Sequence, residues 1–138
     1  ALQNGDVRTA NNLLGHDYFI RGIVVKGRQL GNKIGFPTAN MAIEEEAKLV
    51  PDNGVYAVKV QVRNQTYKGM LNIGMRPTIG GKTKAIEVNI FDFDANIYGE
   101  KIQVDFIQLI RREQKFADLP ALISQLHKDK IASLKILN

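Results

Sequence analysis

Roughly six short segments rich in β-forming residues follow one another between Tyr18 and Ile110, and turn residues separate them. No helical pattern alternates with these segments, which argues against the parallel α/β fold of P-loop kinases. Short strands separated by turns are typical of an antiparallel barrel or sandwich. The sequence therefore predicts a mainly β fold.

Two neighbouring segments have the spacing of a hairpin, because only Asn64 and Gln65 separate them. By contrast, Gly74 to Lys84 combines glycines with cations, and it predicts a flexible cationic loop. The six predicted strands are Tyr18 to Lys26, Met41 to Ile43, Val55 to Arg63, Thr66 to Ile73, Ala85 to Phe93 and Lys101 to Ile110.

A short helix is predicted near the start of the chain. Asp6 can cap its first turn, and Gly15 can end it in the left-handed conformation. Its predicted apolar side consists of Val7, Ala10, Leu13 and Leu14.

A long helix is predicted near the end of the chain. It begins at Asp118 as the cap, with Pro120 in the first turn. Asp129 and Lys130 interrupt its apolar side, and the sequence offers no reason for them. The predicted apolar positions are Leu119, Leu122, Leu126, Leu134 and Leu137.

Composition limits the remaining choices. A chain of 138 residues with 44% hydrophobic residues is long enough for one domain, residues 1–138, with its own core. The absence of cysteine excludes disulfides, thiolate nucleophiles and cysteine metal sites, and fits a reducing compartment. No apolar run approaches the length of about 20 residues that a membrane span needs. We therefore expect a cytoplasmic protein with no membrane partner. The net charge of +5 favours an anionic partner, either a nucleic acid or a nucleotide phosphate.

The stretch from Gly27 to Asn40 carries the clearest chemical signal. Three glycines recur at four-residue intervals, and the backbone N–H groups of such a loop can surround an anion. Arg28 or Lys33 can add positive charge. The stretch lacks the pattern of a Walker A loop. The glycines are Gly27, Gly31 and Gly35.

The end of this stretch contains two oxygen-bearing side chains. Pro37 favours an extended backbone, so Thr38 and Asn40 would point to the same side. A hydroxyl and an amide oxygen are ligands that suit Mg²⁺ on a phosphate.

The hexapeptide G-F-P-T-A-N, from Gly35 to Asn40, resembles the signature of riboflavin kinases, which phosphorylate riboflavin to FMN. The whole chain resembles the kinase module of bacterial bifunctional riboflavin kinase/FMN adenylyltransferases. This resemblance implies a six-stranded antiparallel Greek-key barrel with a short N-terminal helix and a long C-terminal helix. It also implies that ATP and riboflavin are the substrates, ADP and FMN the products, and Mg²⁺ the metal.

The first residues of the chain resemble the segment that follows the adenylyltransferase domain in this family. The shared pattern is A-L-x-x-G-D, followed by A and L-L-G. We therefore expect residues 1–16 to be a linker helix from an upstream FMN adenylyltransferase domain.

The resemblance implies a general base at Glu87. Ile86, Val88 and Ile90 lie on one face of the predicted strand, which leaves Glu87 on the other. The implied metal ligands are Thr38 and Asn40. The nucleotide-side residues are Gly27, Gly31, Asn32, Lys33, Gly35, Pro37, Thr38, Asn40, Ile90, Asp92 and Tyr98. The flavin-side residues are Arg111, Gln114 and Phe116. Which cation of the glycine-rich stretch meets the phosphate stays open.

A second hypothesis is a non-enzymatic, basic OB-like barrel that binds single-stranded nucleic acid. Such barrels present aromatic side chains on which bases stack. This chain has no Trp, and its four Tyr and six Phe are scattered. We therefore favour the kinase and expect no nucleic-acid partner.

The metal assignment predicts that Thr38→Ala or Asn40→Ala abolishes most turnover while the fold stays intact, because a hard oxygen ligand is lost. Steady-state rates measured across a Mg²⁺ titration check this. Near-normal activity of both variants at limiting Mg²⁺ would contradict the assignment.

Overall fold

The computed structural model describes residues 6–25, 39–43, 50–78, 81–93 and 97–138. Within these ranges the fold is mainly β, with a helix at either end, as predicted. The helices and strands are α1 (Val7–Leu14), β1 (Phe19–Val25), β2 (Ala39–Ile43), β3 (Gly54–Val62), β4 (Gln65–Thr78), β5 (Gly81–Ile90), β6 (Lys101–Arg111) and α2 (Leu119–Leu137).

The six strands form one closed antiparallel barrel in the order β1-β2-β5-β4-β3-β6. Strands β3, β4 and β5 follow one another as neighbours, and β6 returns to lie beside β3. This return is a Greek-key connection. The predicted Greek-key barrel is therefore confirmed.

Side chains that point inward fill the barrel. Tyr56 and Phe106 are fully buried and meet edge to face, with 5.3 Å between ring centroids. Because a six-stranded barrel is narrow and its interior is packed, a ligand must bind on the outside. Other fully buried core residues are Ile20, Val58, Val60, Leu71, Ile73 and Val104.

Helix α1 begins and ends as predicted. The Asp6 carboxylate accepts a hydrogen bond from the Thr9 amide at 3.1 Å, and Gly15 has φ +78°. Val7 and Ala10 are buried.

The predicted apolar side of α1 is wrong at its last turn, because Leu13 is 81% exposed and Leu14 is also exposed. Asn11 fastens this end of the helix instead. Its side chain donates to the Phe106 carbonyl at 2.8 Å and accepts from the Tyr18 amide at 2.6 Å.

The predicted loop from Gly74 to Lys84 is wrong. Strand β4 continues to Thr78 and β5 starts at Gly81, with an unbroken register between Gly74↔Ala85 and Thr78↔Gly81. The glycines and cations of this segment predict its structure only from local composition. The observed strands are stabilised instead by pairing between β4 and β5, which local composition does not reveal.

The hairpin between β3 and β4 is confirmed, with its turn one residue earlier than predicted. Arg63 and Asn64 form the turn, with φ +53° and +62°. Two positive φ values are the signature of a type I′ turn.

Helix α2 is capped by Asp118, whose carboxylate accepts from the Ala121 amide at 2.9 Å. The helix covers the outside of β3, β4 and β6, where it packs over Val55, Met70 and Phe91. Leu119, predicted to be on the apolar side, is exposed because it lies in the first turn.

No helix in the described part of the chain is long and apolar enough to cross a membrane.

The barrel explains Lys130, which interrupts the apolar stripe of α2. Its ammonium lies 5.4 Å from the centroid of the Phe91 ring, a cation–π contact on the barrel surface. Asp129 is buried and pairs with an arginine of β6, as described below.

Gly22 of β1 lies where an added side chain would collide with β2. A Cβ there would lie 2.2 Å from the Ala42 carbonyl oxygen and 2.9 Å from the Met41 side chain. Since the nearest atom belongs to the backbone, Gly22→Ala should lower the free energy of unfolding by about 3 kcal/mol. Urea denaturation measures this loss.

Gly15→Ala is the matched control, because Gly15 has a positive φ but nothing within 4 Å of an added Cβ. Backbone strain alone should cost about 1 kcal/mol there. If Gly22→Ala and Gly15→Ala lost the same free energy of unfolding, β1 and β2 would be able to move apart at Gly22 without cost.

Candidate functional site

Three strands place Asn40, Glu87 and Asn72 in one row across the barrel. Asn40 of β2 lies opposite Glu87 of β5, and Glu87 lies opposite Asn72 of β4. Residues directly opposite on antiparallel strands share a face, with Cβ atoms about 4.5–5.5 Å apart. The predicted base and one predicted metal ligand are thus brought together.

The row lies on the outside of the barrel. Strand neighbours of the three residues, Met41, Ile86 and Ile73, belong to the buried core, so the alternating positions point outward. Asn72 carries no motif signal in the sequence, and only the pairing of β4 with β5 brings it to Glu87.

The environment of Glu87 leaves its carboxylate available. Glu87 is half-buried, and within the described residues it forms neither a hydrogen bond nor an ion pair. Asn40 is 5% exposed, so burial holds its amide in place, whereas Asn72 is exposed. A half-buried carboxylate without a described partner can accept a proton from a ligand hydroxyl.

Val25 and Ala39, the described residues before and after positions 26–38 of the glycine-rich stretch, lie beside this row. Val25 ends β1 and lies opposite Asn40, while Ala39 begins β2. The chain therefore leaves and re-enters the barrel beside Glu87. The site residues predicted within the stretch lie outside the described residues: Gly27, Gly31, Asn32, Lys33, Gly35, Pro37 and Thr38.

Tyr98 lies near the end of the row at which Val25 pairs with Asn40. The turn that carries it packs on β1, where the Gly99 amide donates to the Val24 carbonyl at 2.9 Å. Gly99 has φ +75°, which the bend requires. Arg63 contacts Glu100 at 2.6 Å, and this hydrogen bond holds the pKa of the Glu100 carboxyl below its usual value. Tyr98 is exposed.

Ile90 and Asp92 lie further along β5, and they do not join the row. Ile90 packs against the barrel core, on the face opposite to Glu87. Asp92 follows the strand with φ +55°, about 16 Å from Glu87 at the usual rise per residue. Both lie on the side from which the chain enters β2 at Ala39.

The row continues in the other direction to the predicted flavin side. Asn72 lies opposite Val55 of β3, which lies opposite Arg111 of β6. Three strand spacings separate Glu87 from Arg111, or about 14 Å along the barrel surface. Strand pairing therefore links the predicted base to a predicted flavin-side residue through Val55, which is buried under α2 and lies beside a register shift.

Arg111 contacts two partners that the sequence did not reveal. Its Nε and Nη2 donate to the Asp129 carboxylate at 2.9 and 2.8 Å, and its Cζ lies 5.6 Å from the centroid of the Phe116 ring. Phe116 is half-buried and Gln114 is exposed. The structure thus brings Arg111 and Phe116 together, with Gln114 on the segment between them.

The segment between β6 and α2 folds back over the barrel. Arg112 forms an ion pair with Asp52 at 2.6 Å, and the carboxylate of Glu113 lies over Gly74, 2.7 Å from where a Cβ would be. Beside Asp52, the Oδ1 atom of Asn53 is buried without a hydrogen-bond partner in the described part of the chain. None of these contacts has a local sequence signal, because each joins residues far apart in the chain.

In the described residues no group of three or more histidine or acidic side chains forms a metal cluster. The amide oxygen of Asn40 beside Glu87 is a hard donor that suits Mg²⁺.

Comparisons with known proteins are consistent with this geometry. A protein-family model described as riboflavin kinase, or flavokinase, matches residues 14–137. The bifunctional riboflavin kinase/FMN adenylyltransferase of Bacillus subtilis is 46% identical over 138 residues, which cover 98% of this chain and 43% of that protein. The chain therefore spans less than half the length of this relative.

Two solved structures share the fold. A structure titled macrolide-efflux protein, from Streptococcus pneumoniae, superposes with a TM-score of 0.91 and 38% identity, covering 96% of this chain and 43% of that one. Riboflavin kinase from Trypanosoma brucei superposes with a TM-score of 0.60 and 24% identity, covering 86% of this chain and 78% of that one. At this identity the second likeness concerns the fold alone.

Proposed function

The chain belongs to the riboflavin kinase family, and we propose that it transfers the γ-phosphate of ATP to the terminal ribityl hydroxyl of riboflavin, giving FMN and ADP. The observation that carries this proposal is the outward-facing row in which Asn40 lies opposite Glu87 and next to Val25, the last residue of β1. Phosphoryl transfer requires charge neutralisation and a nucleophile held in line, and the row offers a place for both.

The phosphates of ATP are assigned to the glycine-rich stretch. Val25 and Asn40 are paired across β1 and β2, so the chain leaves the barrel before this stretch, and re-enters it after the stretch, next to the row. Backbone N–H groups and Lys33 or Arg28 would neutralise phosphate charge. Tyr98 and Asp92 are assigned to the nucleotide because they lie toward the same end of the barrel.

Glu87 is assigned as the general base. The terminal hydroxyl attacks the γ-phosphorus, the new O–P bond forms as the bond to ADP breaks, and the hydroxyl proton passes to the Glu87 carboxylate. The half-buried position of Glu87, without a described partner, supports this role.

Mg²⁺ is assigned to Asn40 and Thr38. The amide oxygen of the buried Asn40 suits Mg²⁺, and Thr38 precedes Asn40 by two residues in the sequence. When bound there with ATP, the ion would supply positive charge to the phosphate oxygens.

Riboflavin is assigned to the surface between Glu87 and the segment that carries Phe116, where the Glu113 carboxylate lies over Gly74 of β4. The ribityl hydroxyl must reach Glu87, and the aromatic ring system then extends toward β6 and the Phe116 ring. A half-buried aromatic face suits stacking on a flat ligand.

The relatives support a wider proposal. Because the Bacillus subtilis relative is named for two activities and this chain covers 43% of it, we infer that an FMN adenylyltransferase domain is a covalent partner, with residues 1–16 as the linker helix. We assign this protein to the cytoplasm.

The direct test is conversion of riboflavin to FMN by the purified chain with ATP and Mg²⁺, followed by chromatography. ATP-dependent FMN formation is expected, together with thermal stabilisation by riboflavin and Mg-ADP. Absence of FMN, combined with salt-sensitive binding of a single-stranded oligonucleotide, would instead favour the nucleic-acid-binding barrel.

Glu87→Gln should lower kcat about 10²- to 10⁴-fold, because the amide keeps the shape of the side chain but cannot accept the proton. Ligand affinities and the melting temperature should change little, since Glu87 points away from the core. Steady-state kinetics and thermal denaturation measure the two effects.

Asp105→Asn is a matched control, because Asp105 is a half-buried carboxylate on β6 that bonds to Gln61 and Gln103. Its kcat should stay within about twofold of wild type, within the ordinary effect of a surface substitution. Retention of most activity by Glu87→Gln would exclude Glu87 as the base, and Asp92 would be tested next.

A further inference from the structure

Asp129 is the most deeply buried charged residue in the described part of the chain, at 1% exposure. It lies in the middle of α2, where it interrupts the apolar stripe. Its Oδ1 accepts from Arg111 Nε at 2.9 Å and from Gln125 Nε2 at 2.9 Å, and its Oδ2 accepts from Arg111 Nη2 at 2.8 Å. A buried charge with this many donors has one defined geometry.

The guanidinium of Arg111 is engaged on three sides. Its Nε and Nη2 edge faces Asp129, its Nη1 donates to the Arg112 carbonyl at 3.2 Å, and its flat face lies against Phe116. Three of the five N–H groups of Arg111 therefore donate to the protein. Its position suits a support for Phe116 better than a side chain that reaches out to a substrate.

The segment that carries Gln114 and Phe116 has no regular secondary structure. Arg112 fastens its start through an exposed ion pair with Asp52, and exposed pairs contribute little. The contact between Arg111 and Phe116 is the described interaction that orients the ring, and it depends on Asp129 to hold the guanidinium.

We propose that Asp129 is a positioning residue for the flavin: it fixes Arg111, and through Arg111 it holds the ring of Phe116 ready to stack on riboflavin. This inference rests on the proposed function. A ring held in place before binding avoids the entropy cost of ordering it, so the contribution of Asp129 lies in flavin affinity. Among the described residues, the side-chain hydrogen bonds and ring contact of Asp129 and Arg111 involve Gln125, Arg112 and Phe116, and they do not include Glu87 or Asn40.

The first test is Asp129→Asn, measured by steady-state kinetics below its melting temperature. We expect KM for riboflavin to rise about tenfold, because one or two side chains that bind riboflavin would have to become ordered during binding. KM for ATP should change little. Ser133→Ala is the matched control. Ser133 is also buried on α2 and donates to the Asp129 backbone carbonyl at 2.8 Å, but it does not contact Arg111.

The second test separates positioning from stability. The double variant Arg111→Met with Asp129→Leu replaces the buried ion pair by apolar groups, which often restores stability. We expect its melting temperature to recover while KM for riboflavin stays raised, because Phe116 has lost its support. The proposal would be overturned if both the melting temperature and KM for riboflavin returned to wild-type values in the double variant. It would also be overturned if Asp129→Asn raised KM for ATP as much as KM for riboflavin.

Direct binding distinguishes this proposal from the proposed function. Riboflavin affinity is read from quenching of flavin fluorescence in the wild type, Asp129→Asn and Ser133→Ala. A wild type that binds riboflavin but forms no FMN contradicts the kinase assignment alone, and weaker binding by Asp129→Asn then still supports positioning. Equal riboflavin binding by Asp129→Asn and wild type contradicts positioning, whatever the activity.

Discussion

The closed ladder of backbone hydrogen bonds is the constraint on which the other features of this protein depend. Once β1 to β6 pair all the way round, the register decides which residue lies opposite which, and a slip of one residue would reverse every side chain. The same register that buries Ile86 and Val88 turns Glu87 outward. The site is therefore built by core packing, because the apolar residues of β5 fix the direction of the carboxylate between them.

A second constraint fixes helix α2 on the outside of the barrel. Its apolar contacts with Val55, Met70 and Phe91 are not directional, so they set its approximate place. The ion pair of Asp129 with Arg111 demands one geometry, and removing one partner of such a pair typically costs about 3–5 kcal/mol. Hydrophobic packing thus sets the approximate position of α2, and the ion pair sets its exact orientation. They also connect α2 to the segment that carries Phe116.

The local features of the fold were predictable because each depends on neighbours in the chain. Asp6, Gly15 and Asp118 are correctly predicted helix boundaries, since capping involves residues within one turn. The alternation around Glu87 predicted its outward direction for the same reason. The paired part of β4 and β5 between Gly74 and Lys84 was not predictable, because a ladder depends on its partner strand more than on its own composition.

By itself, the sequence determined the β-rich pattern, the helix boundaries, the outward face of Glu87 and the hexapeptide that points to the family. Only the tertiary structure decided that Asn40 and Asn72 lie on either side of Glu87, and that Asp129 holds Arg111. These residues come from separate strands and from a helix at the far end of the chain. The physical reason is that side-chain periodicity encodes direction within one element, whereas contact between elements depends on the register and the burial of the whole barrel.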